Sequence, residues 1–473
     1  MKRHDLIVIG SGPAGQRAAI AAAKLGKDVA IVDKMRALGG VAINTGTIPS
    51  KTLREAALDL SGLRLRRMYG EYQEPRRLAI GDLLARASDV MRHERQVVRD
   101  QLLRNGVTVL EGTARFTGAN EVAIDGAAMG WELQAPAVVI AVGTVPALPA
   151  GLVVDHARVL TSDDILQLPR MPRTMVVVGA GIIGVEYATI FGAMGVEVTL
   201  ADKREHILEM VDEEILDGFA YRARELGVVF RLGEEVARVD VPSADHAIVL
   251  MNSGKRIATD LVLVSAGRLG ATVELDLAKA GLQADDRGRI AVNQHYQTTV
   301  PHIYAAGDCI GLPALASTGA EQGRLAALHA FGYPATSLPE LYPFGIYAVP
   351  ELSWVGANER DLTARGVPFE TGVARYREIA RGQILGDEDG MLKLIFHLDT
   401  RHILGVWVLG TQATELVHIG QAAMALGGTL DFFLHNVFNY PTLAECYKVA
   451  ALDGFNKLNS LGAMSAASAA PKS

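Results

Sequence analysis

The stretch Gly10-Ser-Gly-Pro-Ala-Gly15 decides the fold, because it follows the apolar run 6–9 and opens a helix-like segment. A second copy, Gly179-Ala-Gly-Ile-Ile-Gly184, lies 169 positions later in the same setting. Each copy leads, in identical register, to a second apolar run and an acid, Asp33 or Asp202. A strand, a tight glycine turn and a helix amino terminus form a dinucleotide-binding fingerprint, and the acid beyond them receives ribose hydroxyls. The paired fingerprints predict that two dinucleotides meet on this chain.

The composition bounds the class of protein. The chain has 473 residues and a net charge of -7, and its length suggests about three domains. No basic block interrupts the mild acidity, which argues against a nucleic-acid partner. Residues 1–5 leave no room for a signal peptide, so a cytoplasmic location is expected. The apolar stretch 175–200 holds five glycines together with Glu186 and Glu197; it is predicted to form strand, turn, helix and strand, not a membrane span.

Cysteine and histidine usage predicts neither a thiol pair nor a metal site. Cys309 and Cys446 are the two cysteines, and neither has the spacing of a redox pair or a metal site. The histidines are scattered, and no metal is predicted.

Further motifs fix the organisation of the chain. Gly143 and Gly267 each close a buried-strand pattern, mark boundaries near 148 and 276, and are predicted cofactor contacts. Residues 80–103 predict an amphipathic helix, and 107–126 predict short strands with turns. Residues 345–410 are rich in strand patterns and 412–458 are largely helical, while the small and polar tail 461–473 is predicted to be disordered.

Several motifs together resemble one known family, the flavin disulfide reductases typified by lipoamide dehydrogenase and glutathione reductase. They match in order and spacing from residue 5 to about 457: the first glycine fingerprint, Gly39-Gly40, Ile48-Pro-Ser-Lys51, Gly307-Asp308 and Tyr440-Pro-Thr-Leu-Ala-Glu445. The resemblance implies an α/β fold of two Rossmann-like FAD- and NAD(P)-binding domains plus an α+β interface domain that forms a two-fold dimer. The implied FAD-binding domain has two parts, 1–148 and 277–340. The implied NAD(P)-binding domain lies between them at 149–276, and the interface domain follows at 341–460.

The resemblance also assigns roles to single residues. The first fingerprint is implied to hold the FAD diphosphate, Asp33 the adenosine ribose, and Asp308 the ribityl chain. The second fingerprint is implied to hold NAD(P), with Glu186 near the nicotinamide and Lys51 paired with it beside the flavin. The remaining predicted cofactor contacts are Gly10, Gly12, Gly15, Gly40, Gly179, Gly181 and Gly184.

The thiol machinery of that family is missing here. The two cysteine positions are Ala42 and Thr47, and neither residue can form a disulfide or a thiolate. The position of the family's histidine base is Tyr440, whose ordinary pKa near 10 makes it a poor base at neutral pH. The partner of that base, Glu445, is retained. The candidate catalytic residues are Lys51, Glu186, Thr47, Tyr440 and Glu445.

A flavin site without thiols resembles one branch of the family, the soluble pyridine nucleotide transhydrogenases. Three strings also resemble that branch: Gly46-Thr-Ile-Pro-Ser-Lys51, Gly345-Ile-Tyr-Ala-Val-Pro-Glu351 and Phe438-Asn-Tyr-Pro-Thr442. The resemblance implies ping-pong hydride transfer between NADPH and NAD+ through FAD, in a homodimer or larger homo-oligomer. Ala42 departs from that branch, in which the first cysteine is often kept. Two other functions fit the same residues: an NAD(P)H diaphorase or quinone reductase, and a non-catalytic flavin-binding dimeric scaffold.

Coenzyme choice stays open at this stage. An acid at position 202 favours the free 2′-hydroxyl of NAD, whereas a 2′-phosphate favours arginine or lysine. Asp202 is followed at once by Lys203 and Arg204. These residues fit an enzyme that serves both coenzymes, and equally a pair of solvated cations after a strand.

Overall fold

The structure, a computed structural model, describes residues 1–34, 38–63, 80–126, 130–336 and 341–469, with side-chain surroundings up to residue 460. The chain forms two compact units. The first consists of Met1–Leu53, Ala79–Arg170 and Val264–Pro339, and the second of Arg54–Leu78, Met171–Leu263 and Glu340–Ser473.

A parallel sheet forms the centre of the first unit. Its strands run in the order Ile303–Ala305, Ala137–Ile140, Leu6–Ile9, Val29–Asp33 and Thr108–Glu111. The run Leu6–Ile9 is fully buried because both faces of the sheet are covered.

The two faces of this sheet pack against different layers. Leu6 and Val8 share a core with helices Pro13–Lys24 and Ala316–Ala330, whose alanines allow close packing. Ile7 and Ile9 face the opposite way, as successive strand residues must, and join a core with a small antiparallel sheet. That sheet consists of Thr113–Gly118, Glu121–Asp125 and Trp131–Gln134, with Lys2–Arg3 added in parallel.

The other elements of the first unit include the long helix predicted at 80–103, which spans Ile80–Arg104. The helices Gly40–Asn44 and Thr47–Leu60 follow the first fingerprint, and the second of them continues into the other unit. The remaining strands are Thr144–Pro146, Val159–Thr161 and Arg268–Gly270.

The second unit contains the second fingerprint on its own parallel sheet. The strand Thr174–Val178 pairs with Glu197–Asp202, which pairs with Val228–Leu232. The helix Ile182–Ala193 separates the first two strands, so the prediction for 175–200 is confirmed. The other elements here are the helix Glu213–Glu225 and the strands Val236–Asp240, Ala247–Met251, Arg256–Thr259 and Leu261–Val264.

The rest of the second unit is an antiparallel sheet flanked by helices. The strand order is Phe344–Ile346, Leu352–Gly356, Ile403–Leu409, Met391–His397 and Phe369–Arg375. The helices are Glu359–Ala364, Ala380–Leu385, Ala413–Ala425, Leu430–His435 and Glu445–Ala469.

A buried lysine lies in this second sheet. Lys393 is 0% exposed, and its Nζ lies 2.8 Å from Asp212 Oδ1 and 3.2 Å from Glu214 Oε2, and contacts Glu359. Burial alone would lower the pKa of Lys393, but hydrogen bonds to Asp212 and Glu359 outweigh burial and raise it. The cluster therefore holds a charged lysine inside the protein.

Two sequence predictions differ from the structure. Residues 149–170 and 264–276, predicted to belong to the NAD(P)-binding domain, fall in the first unit, where Arg268–Gly270 pairs with Thr144–Pro146. The last helix continues to Ala469, so the predicted disorder of 461–473 is corrected for 461–469; residues 470–473 lie outside the described residues. The tail is rich in alanine, and extending an existing helix costs less than starting one.

Candidate active site

A cavity of about 320 Å³ opens in the first unit, beside the first glycine turn. Its lining residues follow the carboxyl ends of parallel strands, which is where open α/β sheets bind ligands. Most of the first-site residues predicted from the sequence line it together: Gly10, Gly12, Asp33, Gly40, Ala42, Thr47, Gly143 and Asp308.

Each glycine of the first turn occupies a place where a side chain would interfere, either with the protein backbone or with the cavity. A Cβ on Gly10 would lie 2.3 Å from the carbonyl oxygen of Ala141, and one on Gly15 would lie 1.9 Å from the carbonyl oxygen of Gly10. A Cβ on Gly12, by contrast, would meet no atom within 4 Å and would project into the cavity. Gly12 is also the N-cap of helix Pro13–Lys24 and supplies no side-chain cap, which leaves first-turn amides available for a phosphate.

Asp33 is held in place by a residue that the sequence analysis missed. Its Oδ2 accepts hydrogen bonds from the backbone N–H of Ser11 at 2.7 Å and from Ser11 Oγ at 2.5 Å. Ser11 is fully buried, and its Oγ accepts a hydrogen bond from the Gly39 amide at 2.9 Å. Ser11 therefore connects the glycine turn, Asp33 and the Gly39-Gly40 turn.

Asp308 lies at the same cavity in an environment that discourages its charge. Burial raises the pKa of this carboxyl above its ordinary value, and the charge of Arg268 offsets part of the rise. Arg268, which the sequence analysis did not assign, donates from Nε to Thr144 Oγ1 at 2.8 Å and lies 3.3 Å from Asp163. The signal for Arg268 was its position directly after Gly267, at the end of a buried strand.

Helix Ala316–Ala330 begins at the cavity. Ala316 and Gly319 from its first turn line the cavity, together with the preceding Leu315. The positive end of the helix dipole is therefore directed at a ligand bound there.

Positions 42 and 47 also face this cavity. Ala42 and Thr47 are among its lining residues, so both positions at which the family has cysteines lie at this cavity. Lys51 lies one helical turn beyond Thr47 and is outside the lining residues; its Nζ is 3.3 Å from Ser50 Oγ. Its predicted role beside the flavin stays a prediction.

Both cysteines are buried and free. Burial raises the pKa of Cys309 to about 11. Burial, together with the charge of Glu445, raises the pKa of Cys446 to about 12. Neither thiol is a nucleophile at neutral pH.

The second fingerprint repeats the geometry of the first. Gly179 has φ 108°, and Gly181 is the N-cap of helix Ile182–Ala193 without a side-chain cap. A Cβ on Gly181 would meet no atom within 4 Å, as at Gly12. Gly184 is buried within the helix.

Asp202 and Arg204 form a tight pair at the end of this fingerprint. Arg204 donates from Nε to Asp202 Oδ1 at 3.0 Å and from Nη2 to Oδ2 at 2.7 Å. Burial would raise the pKa of Asp202, but hydrogen bonds from Arg204 and from the Ala180 amide hold it below its usual range. Lys203, the third predicted residue, is exposed.

Glu186 is buried at 4% exposure and does not lie on a solvated face. Its Oε1 accepts a hydrogen bond from the backbone N–H of Tyr347 at 2.8 Å. Three residues further along the same helix, Thr189 Oγ1 accepts one from Val349 N–H at 3.0 Å. Side chains of the second-fingerprint helix thus hold the segment 347–349 through the backbone N–H groups of that segment.

The same segment is held by a buried cation that the sequence did not reveal. Arg54, 4% exposed, donates from Nε to the Ala348 carbonyl at 2.7 Å and lies 3.0 Å from Glu351 Oε1. Glu351 in turn accepts a hydrogen bond from Thr414 Oγ1 at 3.1 Å.

The carboxy-terminal motif is only partly buried. Tyr440 is 68% exposed, whereas Glu445 begins the last helix and its Oε2 is buried without a hydrogen-bond partner in the described part of the chain. Gly267 has φ 114° and is outside the lining of the first cavity.

Among the described residues, no group of three or more His, Cys, Asp and Glu side chains is placed to hold a metal ion. No helix within the same residues has the length and apolar character that crossing a bilayer requires.

The first cavity suits FAD by the features of its own residues. Gly12 leaves open space where any side chain would intrude, and an uncapped helix end faces a diphosphate. Thr45, also in the lining, has a buried Oγ1 without a hydrogen-bond partner among the described residues. The first fingerprint, Asp33 and Asp308 would hold the diphosphate, the ribose and the ribityl chain.

Comparison with known proteins agrees with this fold. The family model for "Pyridine nucleotide-disulphide oxidoreductase" matches residues 4–323, and the model for the dimerisation domain of the same family matches residues 342–451. The chain therefore belongs to the pyridine nucleotide-disulphide oxidoreductase family. It is an FAD-dependent oxidoreductase with a dimerisation domain, which confirms the predicted fold class and cofactor.

Two curated relatives identify the branch of the family that the chain resembles. One from Mycobacterium bovis (strain BCG / Pasteur 1173P2), named soluble pyridine nucleotide transhydrogenase, is 52% identical over 98% of this chain and 99% of its own. One of the same name from Marinomonas sp. (strain MWYL1) is 42% identical over 97% of this chain and 99% of its own. The predicted resemblance to this branch is confirmed.

Solved structures support the fold. LpdA from Mycobacterium tuberculosis matches with a TM-score of 0.87 at 26% identity, over 96% of this chain and 99% of its own. The HOCl-induced flavoprotein disulfide reductase RclA from Escherichia coli, in its Cu(II) complex, matches with a TM-score of 0.87 at 25% identity, over 98% of this chain and 100% of its own.

Proposed function

We propose that the protein transfers hydride reversibly between NADPH and NAD+ with FAD as its cofactor. The order is ping-pong: the first coenzyme leaves the second fingerprint before the other binds there. FAD supplies the group that takes up and returns the hydride. The names of the curated relatives support this choice of substrates.

The observation that carries the proposal is the chemistry of positions 42 and 47. Ala42 and Thr47 line the first cavity where a disulfide-reducing relative needs two cysteines. The cysteines that the chain does have are buried and held in the thiol form by a raised pKa. Electrons therefore have no thiol route away from the flavin, and a coenzyme is the acceptor that the second fingerprint can bind.

The residues of the chain bind and orient the reactants. Gly179, Gly181 and the helix they open would hold the coenzyme pyrophosphate. Glu186, fixed by the Tyr347 amide, is proposed to orient the nicotinamide. Lys51 is proposed to favour negative charge on the flavin, and Thr47 to exclude water beside it. A catalytic role for Tyr440 and Glu445, which the motif suggests, stays a prediction.

An anaerobic assay tests this function. NADPH is mixed with the FAD-loaded protein and an NAD+ analogue whose reduced form absorbs at its own wavelength. We expect flavin bleaching by NADPH, reoxidation by the analogue, and parallel double-reciprocal plots, because the coenzymes use one site in turn.

The other outcomes identify the alternative functions. Flavin that is reduced but reoxidised only by a quinone would indicate a quinone reductase. Flavin that NADPH and NADH both fail to reduce would indicate a binding scaffold. Converging double-reciprocal plots would contradict the ping-pong order alone.

Alkylation of cysteines is expected to leave the activity intact. Because the pKa of Cys309 is raised to about 11 and that of Cys446 to about 12, both stay protonated at pH 7–8 and lose their protons only as the pH nears those values. Iodoacetamide at pH 7.5 should change transhydrogenation by less than about twofold. Mass spectrometry of the native and the urea-unfolded protein shows whether the reagent reached the thiols. Loss of activity with alkylation of a native cysteine would contradict the thiol-free route.

A further inference from the structure

The two glycine fingerprints anchor their acids in the same way. Asp33 Oδ2 accepts the backbone N–H of Ser11 at 2.7 Å, and Asp202 Oδ2 accepts that of Ala180 at 2.6 Å. Ser11 and Ala180 are corresponding positions in the repeat. The chain therefore contains its own reference site, in which the residues around the two acids can be compared one by one.

The copies differ two residues beyond the acid. The second copy has Arg204, whereas the first has Met35, which lies outside the described residues. The residue between is a lysine in both copies, Lys34 and Lys203, so it does not distinguish the sites. The fingerprint assigned to FAD, which has no 2′-phosphate, is the one without the arginine.

Arg204 occupies most of the hydrogen-bond acceptor positions of the Asp202 carboxylate. Oδ1 accepts the backbone N–H of Arg204 at 2.8 Å and its Nε–H at 3.0 Å, while Oδ2 accepts Nη2–H at 2.7 Å as well as the Ala180 amide. A carboxylate offers about four acceptor positions, so a ribose hydroxyl can bond to Asp202 only by displacing a donor of Arg204. The guanidinium is 40% exposed and Asp202 is 7% exposed, so the arginine is the partner with room to move.

We propose that Arg204 is the specificity-determining residue that lets this one site accept both NADPH and NADH. With NADPH, the guanidinium stays on Asp202, masks its charge, and donates to the 2′-phosphate from N–H groups that Asp202 does not use. With NADH, it releases part of the carboxylate to the 2′-hydroxyl. The inference rests on the proposed function for the identity of the two substrates.

Substituting Arg204 by the residue of the first copy gives the test. The dissociation constants of NADP+ and NAD+ are measured on the oxidised, FAD-loaded wild type and on Arg204→Met. We expect the constant for NADP+ to rise about 10–100-fold, because a charge-assisted contact is lost and Asp202 is left to repel the phosphate. The constant for NAD+ should change less than about threefold, since a carboxylate is still available to the hydroxyl.

Three further variants make the result specific. Asp202→Asn/Arg204→Met should bind NADP+ more tightly than Arg204→Met, because the repelling charge is gone. Lys203→Met should have a smaller effect than Arg204→Met on NADP+. Arg238→Met serves as the matched control, since the exposed Arg238 pairs across one residue with Asp240 in the same strand and its loss should leave both constants unchanged.

Two results would overturn the inference: equal changes for NADP+ and NAD+ in Arg204→Met, or selective loss of NADP+ in Lys203→Met instead. Because these are binding measurements, they do not depend on hydride transfer. A wild type that binds both coenzymes without exchanging hydride would count against the proposed function and leave the role of Arg204 standing.

Discussion

Replacing Gly12 by alanine is expected to give a folded protein that is purified without flavin. The backbone there has φ -63° and ψ 178°, which alanine adopts without strain, and a Cβ would meet no protein atom within 4 Å. The methyl group would instead occupy the space proposed for the diphosphate, and we expect FAD affinity to fall by about 100-fold or more. The ratio of flavin to protein absorbance measures the loss.

The repeat supplies the control. Gly181 corresponds to Gly12, has φ -78° and ψ -175°, and likewise leaves open space for a Cβ. Gly181→Ala should keep its FAD but lose reduction of that flavin by NADPH. Retention of FAD at wild-type affinity in Gly12→Ala would refute the assignment of the first cavity, and loss of FAD from both variants would indicate a general folding defect.

Lys393→Met is expected to destabilise the second unit by about 3–5 kcal/mol, the usual cost of removing one partner of a buried ion pair. Asp212, 2% exposed, would keep a charge without its cation. Urea unfolding followed by circular dichroism measures the change.

Two variants separate burial from charge. Lys255→Met breaks an ion pair with Glu234 in which the lysine is 60% exposed, and should cost less than about 1 kcal/mol. Asp212→Asn/Lys393→Met should recover part of the lost stability, because the unpaired carboxylate is gone. A loss in Lys393→Met no larger than that in Lys255→Met would show that the cluster contributes little.

The first cavity could largely be predicted from the sequence. Gly10, Gly12 and Asp33 belong to a local pattern of strand, turn and helix, in which spacing along the chain fixes position in space. Asp308 was identifiable because it follows a glycine at the end of a buried strand. The positions of these residues in the fold are determined by their immediate neighbours in the sequence.

Other residues depend on pairings that no local pattern encodes. Arg54 and Glu351 lie far apart in sequence, and only the folded chain brings them together. Ser11 occupies a variable position of the fingerprint, where a serine carries no signal of its own. Lys393 lies in a strand whose neighbours are all buried, and its acids come from two distant segments.

The tail shows a different limit. Small residues without a hydrophobic pattern predict disorder, because nothing in them pays for ordering a free chain. Here they follow a helix that begins at Glu445, and helix growth from a packed end needs no new nucleus. Context, and not composition, determined their conformation.

The enclosure of Cys309 and Cys446 sets how much reducing power each subunit can store. A flavin holds two electrons, and a neighbouring dithiol would hold two more. With Ala42 and Thr47 at the cavity and both thiols held protonated, the store is that of the flavin alone. Under the proposed function, each subunit therefore has to pass on one hydride before it accepts the next, and it stores no reducing equivalents beyond those of its flavin.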